Sequence, residues 1–172
     1  MRSCFPVHPA LLVLTFCLSI LFQQETTVAA APAEVPHPVL PAGAGKLDAD
    51  APKAFAATPS GLQFRVLRKG TGASPKATNT VKVNYHGWLD GGKVFDSSYK
   101  RGEAIEFPLN RVIPGWTEGM QLVGQGGMIE LLIPSDLGYG ARGAPPDIPP
   151  GATLHFSWNC STCGRHAAVI GV

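Results

Sequence analysis

The stretch Arg111-Val-Ile-Pro-Gly-Trp-Thr-Glu-Gly-Met-Gln-Leu-Val-Gly124 has a helical pattern, whereas the sequence on either side of it alternates as strands do. Pro114 lacks an N–H group and has a φ angle preset for the first turn of a helix. Glu118 places negative charge near the helix N-terminus, where the helix dipole favours it. The sequence therefore predicts a helix that begins near Pro114 and ends before Gly124.

One face of this predicted helix is apolar. Trp116, Met120 and Val123 follow one another at the spacing i, i+4 and i+7, which places them on the same side. Gly119 lies beside that stripe, where the absence of a side chain would let another surface come close. Because a helix this short is marginally stable alone, we expect it to pack against a sheet.

Segments around the helix alternate apolar and polar residues with the period of a strand. Asp90-Gly91-Gly92 is a strong hairpin signal between two of them. About five strands and one helix predict an α+β domain whose antiparallel sheet curls over the helix. The alternating or apolar segments are residues 62–67, 81–86, 93–96, 105–109, 128–133 and 154–158.

The overall composition fits a packed domain with extensions. The chain has 172 residues, of which 45% are hydrophobic and 15% charged, and its formal net charge is +2. Such a weak charge does not indicate a nucleic-acid partner or a polybasic membrane surface. We therefore expect no nucleic-acid binding.

Residues 1–31 have the pattern of a secretory signal peptide. Arg2 is the basic start, residues 10–22 form an apolar run, and residues 28–31 are small, as a cleavage site requires. The run is shorter than the roughly 20 apolar residues of a membrane-spanning helix, although an uncleaved N-terminal anchor is the alternative. Either way the sequence predicts an exported protein, periplasmic or secreted, with membrane contact only if the signal is uncleaved.

Residues 32–57 are rich in alanine and proline and contain few large apolar side chains. Proline interrupts helices and the segment has no sustained period, so it is predicted to be a disordered, mobile linker.

The common catalytic motifs are absent from the sequence. There is no phosphate-binding P-loop, no G-x-S-x-G and no H-E-x-x-H, and the five histidines lack metal-ligand spacing, so we expect no metal and no cofactor. Cys160-Ser-Thr-Cys163 with His166 is half of a zinc site, and the second pair is missing. A redox or zinc role and a local disulfide formed after export both remain open for this pair.

Apolar and aromatic residues are concentrated next to turns and strand ends. Each of these apolar and aromatic residues, considered alone, is best interpreted as part of the hydrophobic core. Asp96 directly follows an aromatic residue at a strand end, Tyr139 lies between two glycines, and the proline-rich loop 144–151 is long enough to overhang the sheet. The residues concerned are Tyr85, Phe95, Ile105, Val112, Ile113, Trp116, Tyr139, Ile148 and Phe156.

Five motifs resemble the FK506-binding-protein type of peptidyl-prolyl cis-trans isomerase in their order and spacing, over residues 58–158. This resemblance implies a domain at residues 58–159, with a five-stranded antiparallel half-barrel wrapped around one short helix. The motifs are Val83-Asn-Tyr-His-Gly87, Gly92-Lys-Val-Phe-Asp-Ser-Ser98, Val112-Ile-Pro-Gly-Trp-Thr-Glu-Gly119, Ile133-Pro-Ser-Asp-Leu-Gly-Tyr-Gly140 and Ile148-Pro-Pro-Gly-Ala-Thr-Leu154.

The resemblance also implies a pocket that twists X–Pro bonds during the folding of exported proteins. Tyr85, Asp96 and Tyr139 would be its catalytic residues, with Tyr139 and the Ile113 N–H donating to substrate carbonyls. Ile105 occupies a position where members of the family usually have an aromatic residue. Ala144, the loop residue before Pro145, supplies no polar group to the pocket. The substrate-binding residues would be Trp116 as the floor, with Phe95, Ile105, Val112, Ile113, Ile148 and Phe156 around it.

The partners implied are proline-containing unfolded polypeptides and macrolides of the FK506 type. The alternative is a non-catalytic prolyl-peptide-binding chaperone that uses the same pocket. Some exported relatives dimerise through long N-terminal helices, for which residues 32–57 are too rich in proline, so a monomer is expected.

The C-terminus departs from the family pattern. After Phe156 only Trp158 keeps the alternation, and the asparagine, serines and glycine that follow are poor strand residues. The last strand is therefore expected to stop near Trp158 or Asn159, with an irregular, loose tail at residues 160–172 and a loss of stability.

Overall fold

The computed structural model describes residues 33–166, with side chains up to residue 161. Two α-helices lie in this part of the chain, α1 (Ser98–Arg101) and α2 (Pro114–Gly119), and a 3-10 turn (Met120–Leu122) continues α2. The strands are β1 (Ala56–Ala57), β2 (Gln63–Arg68), β3 (Asn79–Leu89), β4 (Val94–Ser97), β5 (Ile105–Pro108), β6 (Met128–Ile133) and β7 (Leu154–His166).

The strands of residues 33–166 form one antiparallel sheet in the order β1-β2-β6-β7-β3-β4. Strand β5 also pairs with β3, next to β4 along the same edge. The predicted α+β class with a sheet around one main short helix is confirmed. The described part has seven strands rather than about five, because each of the six alternating or apolar segments forms a strand of its own and two alanines add β1.

Helix α2 packs against the sheet as its apolar stripe predicts. Trp116, Met120 and Val123 are all buried. A Cβ atom at Gly119 would lie 2.4 Å from Cδ1 of Leu131, and one at Gly115 would lie 2.5 Å from a methyl carbon of Ile133. The two glycines therefore allow the helix to approach strand β6 more closely than any other residue type would.

The segment that precedes β2 is not a mobile linker, so that prediction is wrong. Arg65, only 1% exposed, donates to the carbonyl oxygens of Val35 at 2.6 Å, Pro36 at 2.7 Å and Lys53 at 2.7 Å. Its Nε also donates to Glu130 at 2.7 Å, deep under the segment. Carbonyl groups of an extended chain can accept hydrogen bonds even where proline leaves few N–H groups to donate, and these bonds fix the segment.

Apolar contacts fix the same segment further along. Ala44 is buried against Leu67 and Met128 on the outer face of the sheet, and Leu40 and Leu47 pack at the edge of this small cluster. The region therefore adds a covering layer to the sheet face that lies opposite α2.

The last strand does not stop near Trp158 or Asn159, and that prediction is also wrong. Strand β7 continues to His166 and pairs with β3 along the full length of β3. Its register shifts between Thr80 and Val81 and again between Lys82 and Val83. Pairing with a long neighbouring strand outweighs weak intrinsic strand preference, which depends strongly on context.

The predicted signal peptide and residues 167–172 lie outside the described residues. Between residues 33 and 166 there is no helix of the length and apolar character that crossing a membrane requires.

Candidate active site

A cavity of about 570 Å³ opens between the concave face of the sheet and helix α2. Strands β3, β4, β5 and β7, the start of α2 and the loop that contains Tyr139 all contribute to its walls. Most of the lining side chains are apolar. They are Tyr85, Phe95, Asp96, Ile105, Phe107, Arg111, Val112, Ile113, Trp116, Tyr139 and Phe156.

Trp116 lies at the centre of an aromatic cluster in this cavity. Its ring centre is 5.0 Å from that of Tyr85 and 4.9 Å from that of Phe156, both in edge-on geometry. Phe107 lies 5.5 Å from it in a tilted arrangement, and Phe95 meets Phe156 edge-on at 5.3 Å. Edge-on aromatic pairs of this kind favour defined ring positions, so the cluster forms a rigid apolar surface.

Asp96 joins two other polar side chains beside the cluster. The Tyr85 hydroxyl donates to Oδ2 of Asp96, and Nη1 of Arg101 donates to Oδ1. Oδ1 also accepts from the Ser97 N–H at 2.7 Å. Nη2 of Arg101 donates to the Tyr85 hydroxyl at 2.7 Å, which closes a triangle of three side chains.

Burial and the hydrogen bonds of the triangle together shift the pKa values of Asp96 and Tyr85. Burial raises the pKa of Asp96, but hydrogen bonds from Tyr85 and Arg101 outweigh burial, and the pKa lies below its ordinary value. Burial, and then the bond to Asp96, raise the pKa of Tyr85 to about 12, although Arg101 opposes this. Asp96 is therefore an ionised hydrogen-bond acceptor near neutral pH, and Tyr85 is a neutral phenol.

Several donors at the cavity have no acceptor within the described residues, among them the buried Nε1 of Trp116. Within residues 33–166 neither the Tyr139 hydroxyl nor the Ile113 N–H makes a hydrogen bond. Tyr139 is 41% exposed, and burial followed by the charge of Asp96 raises the pKa of its hydroxyl, so that it keeps its proton. Both groups are available to donate to a molecule that enters the cavity.

The structure brings nine of the ten sequence-predicted residues to one cavity. Ile148 does not line it. This residue is buried in the adjoining core, where its backbone exchanges two hydrogen bonds with Ala144 across the proline-rich loop. The nine lining residues are Tyr85, Phe95, Asp96, Ile105, Val112, Ile113, Trp116, Tyr139 and Phe156.

Sequence reasoning missed three residues of the site. Phe107 alternates with Ile105 on β5, so the same period that identified Ile105 could have identified it. Arg111 directly precedes the predicted helix. Arg101 follows Asp96 by five residues, and the short helix α1 between them returns its side chain to the carboxylate.

Within residues 33–166 no group of three histidine, cysteine, aspartate or glutamate side chains is arranged to hold a metal ion. Cys160 is disulfide-bonded, and the side chains of Cys163 and His166 lie outside the described ones. The zinc interpretation of this pair stays a prediction.

The fold and this aromatic cavity define a class of proteins that the sequence comparisons also find. Residues 72–158 match the family model of the FKBP-type peptidyl-prolyl cis-trans isomerases, and the chain belongs to this family. It is 56% identical over 99 residues to an FKBP-type 22 kDa peptidyl-prolyl cis-trans isomerase of Escherichia coli, covering 58% of this chain and 48% of that protein. A probable FKBP-type peptidyl-prolyl cis-trans isomerase of Haemophilus influenzae is 54% identical over 99 residues, covering 58% and 41%.

Among solved structures, the crystal structure of FkpA from Escherichia coli is similar, with a TM-score of 0.61 and 46% sequence identity. The similarity covers 63% of this chain and 50% of that chain. The chain thus spans about half the length, or less, of these relatives.

Proposed function

We propose that this protein is a peptidyl-prolyl cis-trans isomerase that accelerates rotation about X–Pro bonds in other polypeptides. The observation that carries the proposal is the cavity itself, in which a rigid aromatic surface around Trp116 lies beside the Tyr139 hydroxyl and the Ile113 N–H, donors that have no acceptor within residues 33–166. A prolyl ring fits against the aromatic surface, and the Tyr139 hydroxyl and Ile113 N–H donate to the carbonyl groups on either side of it.

Rotation of an X–Pro bond breaks amide resonance and crosses a barrier of roughly 18–20 kcal/mol. In water, hydrogen bonds to the carbonyl stabilise the planar, charge-separated amide. An apolar cavity withholds this solvation, and it lowers the barrier to the extent that it binds the twisted amide better than either planar isomer. Since about 1.36 kcal/mol corresponds to a tenfold change in rate, a few such contacts are sufficient, and no nucleophile or cofactor is needed.

Asp96 is a positioning residue in this mechanism and does not act as a base. Its carboxylate is ionised, but both oxygens already accept hydrogen bonds from Tyr85, Arg101 and the Ser97 N–H. It therefore holds Tyr85, a member of the cavity wall, in a fixed orientation. Tyr85, with its pKa of about 12, contributes a neutral surface.

Catalysed cis/trans exchange of a short Ala-Ala-Pro-Phe peptide, measured by exchange NMR, tests the proposal. We expect substoichiometric protein to increase the exchange rate. A binding module that only captures prolyl peptides would broaden or shift the peptide signals without accelerating exchange, and that result would establish the chaperone alternative instead.

The same cavity is the proposed site for macrolides of the FK506 type. These ligands present a proline-like ring and carbonyl groups, which the Trp116 surface and the two donors can accept. We expect such a macrolide to compete with the peptide. Retention of full activity at saturating macrolide would contradict the site as described.

We infer that the protein is exported, because residues 1–31 carry a basic start, a short apolar run and small residues suited to cleavage. N-terminal sequencing of the extracytoplasmic protein is expected to begin near residue 31 or 32. Intact Met1 on soluble cytosolic protein would contradict export, and intact Met1 on membrane-bound protein would identify an uncleaved anchor.

We also infer that the exported protein is a monomer. Residues 33–57 are bound to their own domain through Arg65 and through the Ala44 cluster, and residues 33–57 contain no helix that a second copy could join. Sedimentation equilibrium is expected to give the mass of one chain. A dimer at micromolar concentration would overturn this inference.

A further inference from the structure

The cavity carries one charged side chain that no described residue neutralises. Asp96 and Arg111 are its charged lining residues. Asp96 is paired with Arg101, whereas the side chain of Arg111 makes no hydrogen bond or ion pair within residues 33–166. Tyr85 and Tyr139 stay neutral near physiological pH, since both have raised pKa values. The unpaired charge that faces an incoming peptide is therefore positive.

Local structure fixes where this charge is presented. Arg111 ends a 3-10 turn (Leu109–Arg111), and Leu109 in that turn is fully buried. The Leu109 carbonyl accepts a hydrogen bond at 2.7 Å from the hydroxyl of Thr117 in α2. Val112 and Ile113, which follow directly, line the cavity. The backbone is thus held on both sides of Arg111, while its side chain is exposed at the entrance.

We propose that Arg111 is a specificity-determining residue that favours prolyl bonds with an acidic side chain, glutamate or aspartate, close to the proline. This inference rests on the proposed isomerase function and names its preferred substrate class. A guanidinium presents several donors in a planar fork that matches a carboxylate. Because the pair forms at an exposed rim, its effect is modest, roughly threefold to fivefold in kcat/KM at low salt.

The test uses two sets of peptides, Ala-Xaa-Pro-Phe and Ala-Ala-Pro-Xaa, with glutamate, glutamine or lysine at Xaa. Exchange NMR gives kcat/KM for each peptide. Wild-type protein is expected to favour glutamate over lysine by about threefold or more in at least one set, and about 0.5 M salt should reduce this ratio because it screens exposed charges. Arg111→Gln should bring the ratio close to one, and Arg111→Glu should invert it.

Lys82→Gln is the matched control. Lys82 is an exposed cation on strand β3 that does not line the cavity, so its removal changes the net charge equally. The control should keep the wild-type ratio. Equal ratios in wild type and Arg111→Gln, or an equal loss in Arg111→Gln and Lys82→Gln, would overturn the proposal.

The experiment distinguishes a failure of the proposed isomerase function from a failure of the proposed role of Arg111. Turnover of the glutamine peptides by wild-type protein tests the isomerase function and does not involve charge. If no peptide were turned over, the ratio of glutamate to lysine peptide affinities, from NMR titration of the same variants, would still decide the role of Arg111.

Discussion

The hydroxyl of Tyr85 accepts a hydrogen bond from Nη2 of Arg101 at 2.7 Å, and the guanidinium carbon lies 5.5 Å from the centre of the same ring. The other terminal nitrogen of Arg101 binds Asp96. One cation from a four-residue helix therefore fixes two polar groups at the edge of the aromatic cavity. This relationship makes Arg101 a positioning residue that lies outside the cavity lining.

Replacing Arg101 by glutamine is expected to reduce kcat/KM by about threefold to tenfold, because hydrogen bonds to charged groups that are partly exposed contribute about 1 kcal/mol. Lys100→Gln is the control, since Lys100 is an exposed cation in the same helix without a role in the triangle. Exchange NMR measures both variants. Equal activities would remove Arg101 from the account.

The tyrosine hydroxyl in the triangle should titrate far above an ordinary phenol. The difference between wild-type and Tyr85→Phe absorbance at 295 nm is expected to have its midpoint near the pKa of about 12. Asp96→Asn should lower that midpoint, since the carboxylate is one of the groups that raise it. Circular dichroism must show that the protein is folded through the titration, and a midpoint near 10 in the folded protein would contradict the triangle.

The carboxylate of Asp96 should make stability depend on pH in acid. Its pKa is lower in the folded protein than its ordinary value of 3.8, so the unfolded chain binds the proton more readily. The stabilisation is then fully present above that ordinary value and is lost as pH falls through the lower folded value. Because the side chain is 41% exposed, solvent screening makes the effect small.

Urea unfolding of wild type and Asp96→Asn between pH 2 and pH 7 measures this dependence. The difference in the free energy of unfolding between the two proteins should be constant from about pH 5 to pH 7 and should shrink below about pH 4. Parallel curves over the whole range would show that the pKa of Asp96 is not lowered by folding.

Gly119→Ala tests the close approach of helix α2 to strand β6. The new Cβ would lie 2.4 Å and 2.7 Å from the two methyl carbons of Leu131, which is fully buried. Overpacking of this kind costs about 1–3 kcal/mol, against a gain of about 1 kcal/mol in helix propensity. Contacts this short place the cost in the upper part of that range, so we expect a net loss of about 1–2 kcal/mol in the free energy of unfolding.

Gly91→Ala is the matched control for this substitution. Gly91 lies in the hairpin between β3 and β4, and a Cβ atom there would meet nothing within 4 Å. Its unfolding free energy should stay within about 0.5 kcal/mol of wild type. An unchanged stability of Gly119→Ala would contradict the packing described for α2.

The sequence predicted the central helix and most of the cavity because local periodicity and local contacts agree there. Trp116, Met120 and Val123 lie on one face whichever sheet they meet, and Gly119 indicated a close approach. Arg101 was missed, because its role depends on a short turn that returns it to Asp96, and no period shows such a turn.

The predictions of a mobile linker and of an early end to the last strand were wrong for the same reason. In both, contacts with residues distant in the sequence outweighed the local conformational preference. Arg65 occupies an outward position on β2 and would be solvent-exposed on a bare sheet, but the proline-rich segment covers it and supplies three carbonyl acceptors. Cys160 and the residues that follow have weak strand preference, yet β3 is long enough to pair with them. Neither partner can be inferred from the local sequence.

The central claim is that this cavity catalyses prolyl isomerisation through the groups at its edge. Its most direct test is kcat/KM for exchange of the Ala-Ala-Pro-Phe peptide by wild type, Tyr139→Phe, Asp96→Leu and the control Lys82→Gln. We predict that Tyr139→Phe and Asp96→Leu, with retained circular dichroism, each lose about tenfold or more, which corresponds to about 1.4 kcal/mol of transition-state stabilisation, while the control keeps full activity. Wild-type activity in both folded variants would contradict the claim.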